Sequence, residues 1–241
     1  YLFSTSEFGD VTLAYAYISF LLVVLTYGME TALFSFSQSE NDKKKVYETA
    51  LLSIIITSVS FVVLCTLFSE NIASLLQFSG HSEYVVWFAF ILACDAVSSI
   101  TFAQLRVHEK AKRFAQIRSL NILINILLNL FFLVFCKNAF ENNTAFKPFV
   151  EMIYTPWVGV GYIFISNLIA SAVTVLLLLP DIISVSWKID KELWIKMLKY
   201  GLPLLLAGLA GMANETLDRV LIPQLLPGEI GKSQNGIYGA C

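Results

Sequence analysis

The chain has 241 residues, of which 57% are hydrophobic and 14% charged, with a formal net charge of −2 and a mean hydropathy of +0.71. A water-soluble domain carries about 25% charge and about 45–50% apolar residues, so this composition excludes an ordinary soluble fold and fits a surface that faces hydrocarbon. A balance so close to neutral also argues against nucleic acid as a partner, which needs a concentrated basic surface.

Spanning a bilayer takes about 20 mainly apolar residues as helix. Six runs qualify: 11–36, 46–68, 85–105, 114–136, 157–179 and 193–222. They are long and uninterrupted, unlike the short alternating runs of a membrane β-barrel. The expected fold is therefore all-α, a polytopic membrane bundle of about six transmembrane helices. The linkers divide by charge. Lys43, Lys44, Lys45, Arg106, Lys110, Lys112, Arg113, Arg118, Lys188, Lys191, Lys196 and Lys199 fall in or beside one alternate set, and only Lys137, Lys147 and Lys232 in the other. The positive-inside rule then puts the first set in the cytoplasm and residues 1–10 outside. Tyr84, Trp87, Tyr154, Trp157, Trp187 and Trp194 stand at segment ends and read as interfacial anchors. Asn142-Asn143-Thr144 has the form of a glycosylation acceptor in an outer loop, and no role is given to it. The first residue is Tyr1, and the last, Gly236-Ile237-Tyr238-Gly239-Ala240-Cys241, look like the start of another helix; the chain reads as an internal fragment of a longer one.

Polar residues inside apolar runs are costly, so their placement carries the functional reading. In the first run Glu30 stands near the cytoplasmic end. The second carries Thr49, Ser53, Thr57 and Ser60 at helical spacing, read as packing contacts. In the third, Asp95 is too deep to reach water and needs a partner, while Arg106 can snorkel; eleven residues apart, they project the same way. The fourth has Asn121, Asn125 and Asn129 at i, i+4, i+8 with Arg118 one step below, a carboxamide stripe that either lines a watery cavity or holds helices together. The fifth repeats the spacing with Asn167, Ser171 and Thr174, read as packing. The sixth holds Asn214-Glu215-Thr216-Leu217-Asp218-Arg219, with Glu215 and Arg219 as i, i+4 neighbours, between Pro203 and Pro223, which suggests a bent or broken helix. Cys65, Cys94, Cys136 and Cys241 fit neither a zinc nor a redox spacing, and no metal or cofactor is expected. Several polar-faced helices together point to a hydrophilic interior, as in a transporter.

The stretch Tyr27-Gly28-Met29-Glu30-Thr31-Ala32-Leu33-Phe34 resembles the second helix of bacterial polysaccharide flippases. So does the segment from Gln104 to Leu133, where Lys110-Ala111-Lys112-Arg113 leads into the asparagine-striped helix. The likeness is strongest at 200–227, Gly201-Leu202-Pro203 through Asn214-Glu215-Thr216-Leu217-Asp218-Arg219. These resemble the O-antigen and exopolysaccharide flippases of the multidrug/oligosaccharidyl-lipid/polysaccharide (MOP) exporter superfamily. The resemblance implies a MATE-like protein of fourteen helices in two six-helix lobes plus two more. Residues 1–192 would be most of the N-terminal lobe and 193–241 the start of the C-terminal one. It implies a multi-pass protein of the bacterial inner membrane that flips an undecaprenyl-pyrophosphate-linked oligosaccharide by alternating access. Membrane lipid, the lipid-linked sugar and H+ or Na+ would be its partners. Family members often carry an arginine near Ser35 and Ser37, absent here; Arg118, Arg106 or Arg219 would substitute. On this reading Asn121, Asn125, Asn129, Arg118, Arg106, Asn214 and Arg219 line the substrate cavity, and Asp95, Glu215, Asp218 and Glu30 are the candidates for ion coupling. A multidrug or cation antiporter of the same superfamily is the alternative. A membrane enzyme of polysaccharide assembly is the weaker one, since the sequence has no DDxxD-like cluster for metal chemistry and His81 and His108 fall on opposite sides of the bilayer.

Overall fold

The computed structural model describes residues 4–40, 42–76, 81–142, 147–226 and 228–240; Asn143, Thr144 and Cys241 lie outside them. Among the described residues the secondary structure is helical throughout, with no strand. Six stretches are long and apolar enough to cross a membrane: Thr5–Ser39, Lys43–Leu67, Ser82–Val107, Ala111–Glu141, Gly161–Ile183 and Lys191–Leu225. They match the six expected runs in number and order.

The first span is two helices, not one. Helix α1 (Thr5–Thr26) opens with a capping box between Ser4 and Glu7, which satisfies two otherwise orphaned N–H groups. It ends where Tyr27 (φ 33°) and Gly28 (φ 73°) turn left-handed, and α2 (Met29–Ser39) continues. The apolar run hides this break, because Gly28 is the one residue in it that takes a positive φ at no steric cost. Helix α3 (Lys43–Leu67) follows. The linker after it contains the short α4 (Ser69–Leu75). Helix α5 (Ser82–Val107) runs through the middle of the bundle, with α1, α2, α3, α6 and α9 all packed on it. Helix α6 (Ala111–Leu130) passes into a π-helical turn, Phe131–Cys136, and then α7 (Lys137–Glu141). Helix α8 (Lys147–Ile153) lies in the next connection. The fifth span, α9 (Gly161–Ile183), begins later than expected, because Pro156–Val158 form a separate 3-10 turn ended by Gly159 at φ 50°.

Helix α10 (Lys191–Leu225) is continuous through Pro203 and Pro223, so the helix is not broken where the prolines suggested. Each proline removes one bond from the ladder, and the bonds on either side carry the helix on. At about 1.5 Å per residue its 35 residues reach roughly 50 Å, well beyond the ~30 Å hydrocarbon core. The helix anticipated from residue 236 starts earlier, as α11 (Gly228–Ala240).

The main core joins α1, α2, α3, α5 and α9 through buried Ile18, Met29, Leu33, Leu51, Ile54, Ile91, Leu92, Ile100, Phe164 and Leu178. Not every end-of-span aromatic is an anchor. Tyr84 and Tyr154 are buried, Trp157 and Trp187 are exposed, and the Trp194 indole N–H donates to Ser53 Oγ at 2.7 Å. Ser53 also shares a hydrogen bond with the Tyr27 hydroxyl at 2.6 Å, so one residue of the hydroxyl row ties the α1–α2 break to α10. Cys65, Cys94 and Cys136 are free thiols.

The connection from α9 to α10 is strapped to α3. Glu48, 7% exposed, accepts from the Ser186 backbone N–H at 2.9 Å and from Ser186 Oγ at 2.6 Å. Lys45 Nζ lies 2.6 Å from Asp190, and Asp190 caps α10 by accepting from the Leu193 N–H at 2.9 Å. That N–H first, and Lys45 second, hold the Asp190 carboxyl below the usual carboxylate range. The stabilisation is present at neutral pH and is lost as pH falls through the lowered value. Arg113 grips Asp181 at 2.6 Å on the same side. Ser186 is exposed, so Glu48→Ala hands its two donors to water and should cost only the net worth of the two bonds, about 0.5–1.5 kcal/mol each. Trypsin cleavage after the exposed Lys188 should then be faster than in the unmodified protein.

Candidate functional site

Helix α9 turns one stripe, Asn167, Ser171 and Thr174, toward three neighbours. The Asn167 side-chain N–H donates to the Tyr15 hydroxyl of α1 at 3.3 Å. Ser171 Oγ donates to Asp95 of α5 at 2.7 Å. Thr174 Oγ1 accepts from the Asn121 amide of α6 at 2.9 Å and itself donates to the Ala170 carbonyl. Ser171 and Thr174 are buried. Four helices thus converge on one polar strip within the length of the membrane spans. Asp95 has the partner its depth requires, and Arg118 is near enough for its charge to act on that carboxylate.

The strip continues along α6. Asn129 donates to Asn125 at 2.6 Å, while the Asn129 side-chain oxygen is buried without a hydrogen-bond partner. All three asparagines are half-buried on the side of α6 that meets α9, and Ile122, Leu123, Ile126, Leu127 and Leu130 are exposed on the other. Arg118, one turn toward the basic end, is exposed with its guanidinium 5.9 Å from the centre of the Phe102 ring. No acidic side chain lies within ion-pair distance of it among the described residues. Two cavities, about 350 and 290 Å³, lie against Val59, Val62, Phe90 and Val97 and against Phe20, Phe61, Val85 and Phe88; both are apolar and neither is lined by these asparagines. The amide strip itself is half-exposed along α6.

The remaining residues singled out from sequence lie in two other places. Arg106 pairs with Glu30 of α2, between the rings of Phe34 and Phe114 at 5.1 and 5.5 Å. Asp95 and Arg106, though on one face of α5, therefore serve different neighbours. Both members of the Glu30–Arg106 pair are more than a third exposed. A double-mutant cycle of Glu30→Gln and Arg106→Ala, read by thermal unfolding in detergent, should give a coupling of only about 0.5–1 kcal/mol that shrinks with salt.

On α10, Asn214 and Glu215 are exposed. The expected Glu215–Arg219 pairing is not made among the described residues. Asp218 instead accepts from the Tyr238 hydroxyl of α11 and from its neighbour's backbone N–H, and Arg219 Nε is buried without a partner. Spacing makes i, i+4 contact available, but a long-range partner on α11 takes Asp218. Helix α10 packs chiefly on α1, α2 and α11, so this group stands apart from the α6–α9 strip. Tyr15 is a partner that the sequence reading does not name, and the α9 stripe, expected to make packing contacts, does bond to neighbouring helices. The i, i+4, i+7 spacing of Asn167, Ser171 and Thr174 was the available signal.

No curated protein and no solved structure matches the chain. A family model described as "Polysaccharide biosynthesis protein" matches residues 2–241. A six-span helical bundle with acid, amides and arginine inside its spans, matched over almost its whole length, belongs to this polysaccharide biosynthesis family of MOP-superfamily flippases.

Proposed function

We propose that the protein flips an undecaprenyl-pyrophosphate-linked oligosaccharide across the bacterial inner membrane by alternating access. The observation that supports this most is the polar strip in which Tyr15, Asp95 and Asn121 meet the Asn167–Ser171–Thr174 stripe at membrane depth. Here Asn129 keeps an unpaired oxygen, and Arg118, exposed, makes no ion pair among the described residues.

Carboxamides suit sugar hydroxyls, since each both donates and accepts. Arginine suits a pyrophosphate through forked, charge-assisted bonds. The lipid tail stays in the bilayer beside the apolar faces of α3 and α6. Residues 1–192 act as one lobe and α10 as the first helix of the second, and the basic rim faces the cytoplasm. Asp95 carries the coupling ion. The cycle makes and breaks no covalent bond, and the protein acts as a transporter without a cofactor.

In a strain lacking the gene, Asn121→Ala, Asn125→Ala and Asp95→Ala should each lower surface-polysaccharide export with protein abundance unchanged. Normal export in all three would remove the strip from the transport path. Drug hypersensitivity with intact surface polysaccharide in the deletion strain would turn the reading into that of a cation antiporter.

A further inference from the structure

Arg113 at the start of α6 meets Asp181 near the end of α9, so these two spans run antiparallel. Helix α8 (Lys147–Ile153), which lies between them in the chain, therefore stands at the end of the bundle opposite the basic rim. One side of α8 is fastened down. Val150 and Tyr154 are buried in one small cluster with Cys136, Ala139 and Tyr162. The Tyr154 ring stacks on Tyr162 at 5.0 Å. The Tyr162 hydroxyl accepts from the Thr155 N–H at 2.7 Å and donates to the Ile153 carbonyl at 3.4 Å.

The other side is apolar and exposed. Phe149, Met152 and Ile153 stand at i, i+3 and i+4, hence on one helix face, and Met152 is 83% exposed. Trp157, just beyond them, is 65% exposed. Lys147 and Glu151 face each other at 3.9 Å, and the helical repeat puts both nearly opposite that apolar face. Helix α8 packs on α7, and α7 continues directly from the turn in which Phe135 is exposed, as Leu130 is just before it. Lys137 is the first charged residue after Arg118 along this span. The patch thus sits where the hydrocarbon-facing surface of α6 runs out, which is where a bilayer has its headgroups. That border decides the partner. A protein-docking patch would be rimmed by polar residues, whereas this one adjoins a surface that lipid already covers. Indole rings favour the headgroup level, and an amphipathic helix lies there with its apolar face toward the acyl chains.

We propose that α8 and Trp157 form a membrane-interface binding surface, in which Phe149, Met152, Ile153 and the Trp157 indole dip into the headgroup region of the leaflet away from the basic rim. Through Val150 and Tyr154 this surface holds the adjoining ends of α6 and α9 at a fixed depth. The proposal depends on the membrane spans alone and not on what is transported.

The test places the full chain in nanodiscs of phosphatidylethanolamine and phosphatidylglycerol, brominated either on shallow acyl carbons or near the chain ends. The emission lost on Trp157→Phe isolates that indole, which should be quenched severalfold more by shallow bromines than by deep ones. In the Trp157→Phe background, Met152→Trp should show the same preference. Glu151→Trp, on the opposite flank, should be quenched severalfold less than Met152→Trp. All three positions are exposed, so each variant should stay monodisperse on size exclusion. Equal quenching of Met152→Trp and Glu151→Trp overturns the proposal. So does stronger quenching by the deep bromines, or an unquenched Trp157, the result expected if water or another protein covers the patch.

Discussion

Replacing Gly28 by valine is expected to abolish the folded protein. At φ 73° an L-residue pays the left-handed penalty of roughly 1–2 kcal/mol. The new Cβ would also strike the Gly201 backbone of α10, and overpacking of that kind adds about 1–3 kcal/mol. Position 201 is already glycine, so no smaller residue can make room, and its own Cβ would press on the Tyr27 carbonyl. The damage spreads, because Tyr27 and Trp194 both hold Ser53 and would lose their common anchor. Gly28→Ala should lower the melting temperature in detergent, and Gly28→Val should leave little monodisperse protein on size exclusion. A melting temperature unchanged in the valine variant would show that the α1–α2 break has room the geometry denies.

Asp95→Asn should cut export by about tenfold or more, the rate loss that accompanies a misplaced interaction of roughly 1.4 kcal/mol. Asparagine has the shape of aspartate and can still accept from Ser171 Oγ, so a merely structural Asp95 would tolerate it. A residue that must bind and release a cation would not, since the amide carries no charge to exchange. Ser171→Ala supplies the converse: the bond goes and the carboxylate stays, so export should fall less than in Asp95→Asn. Normal export in Asp95→Asn with a defect in Ser171→Ala would make the pair a packing contact and leave ion coupling to another residue.

The spans were legible because hydrocarbon selects on composition over about 20 residues, a signal that does not depend on tertiary contacts. What the hydropathy could not carry was local backbone geometry. Gly28 sits in an apolar run and breaks a helix, while Pro203 and Pro223 look like breaks and are absorbed. The difference lies in what packs against each, Gly201 in the first case. Pairing was equally hidden. Spacing offered Glu215 to Arg219, which do not pair among the described residues although Glu192 and Lys196 do at the same spacing, while Glu30 with Arg106 and Asp10 with Lys232 join residues far apart in the chain. The amide stripe of α6 was legible from its period; that it meets a matching stripe on α9 depends on how two helices are rotated, which neither stripe states alone.

The π-helical turn at Phe131–Cys136 sets where that stripe stops. Its i→i+5 bonding takes in one residue more than an α turn, so everything after it is wound back by about one residue's arc, roughly 100°. The fourth place in the row would be Leu133, but the row has lost its count. Phe132 stacks on Tyr162 at 4.7 Å, and Cys136 and Ala139 drop into the small apolar cluster with Val150 and Tyr154. Deleting a single residue between 131 and 136 would restore regular winding, leave hydropathy almost untouched, and swing α7 away from its bed. The chain at this point is therefore sensitive to arithmetic rather than to chemistry, and homologous proteins of the same composition but one residue shorter here should seat their outer loop on a different flank.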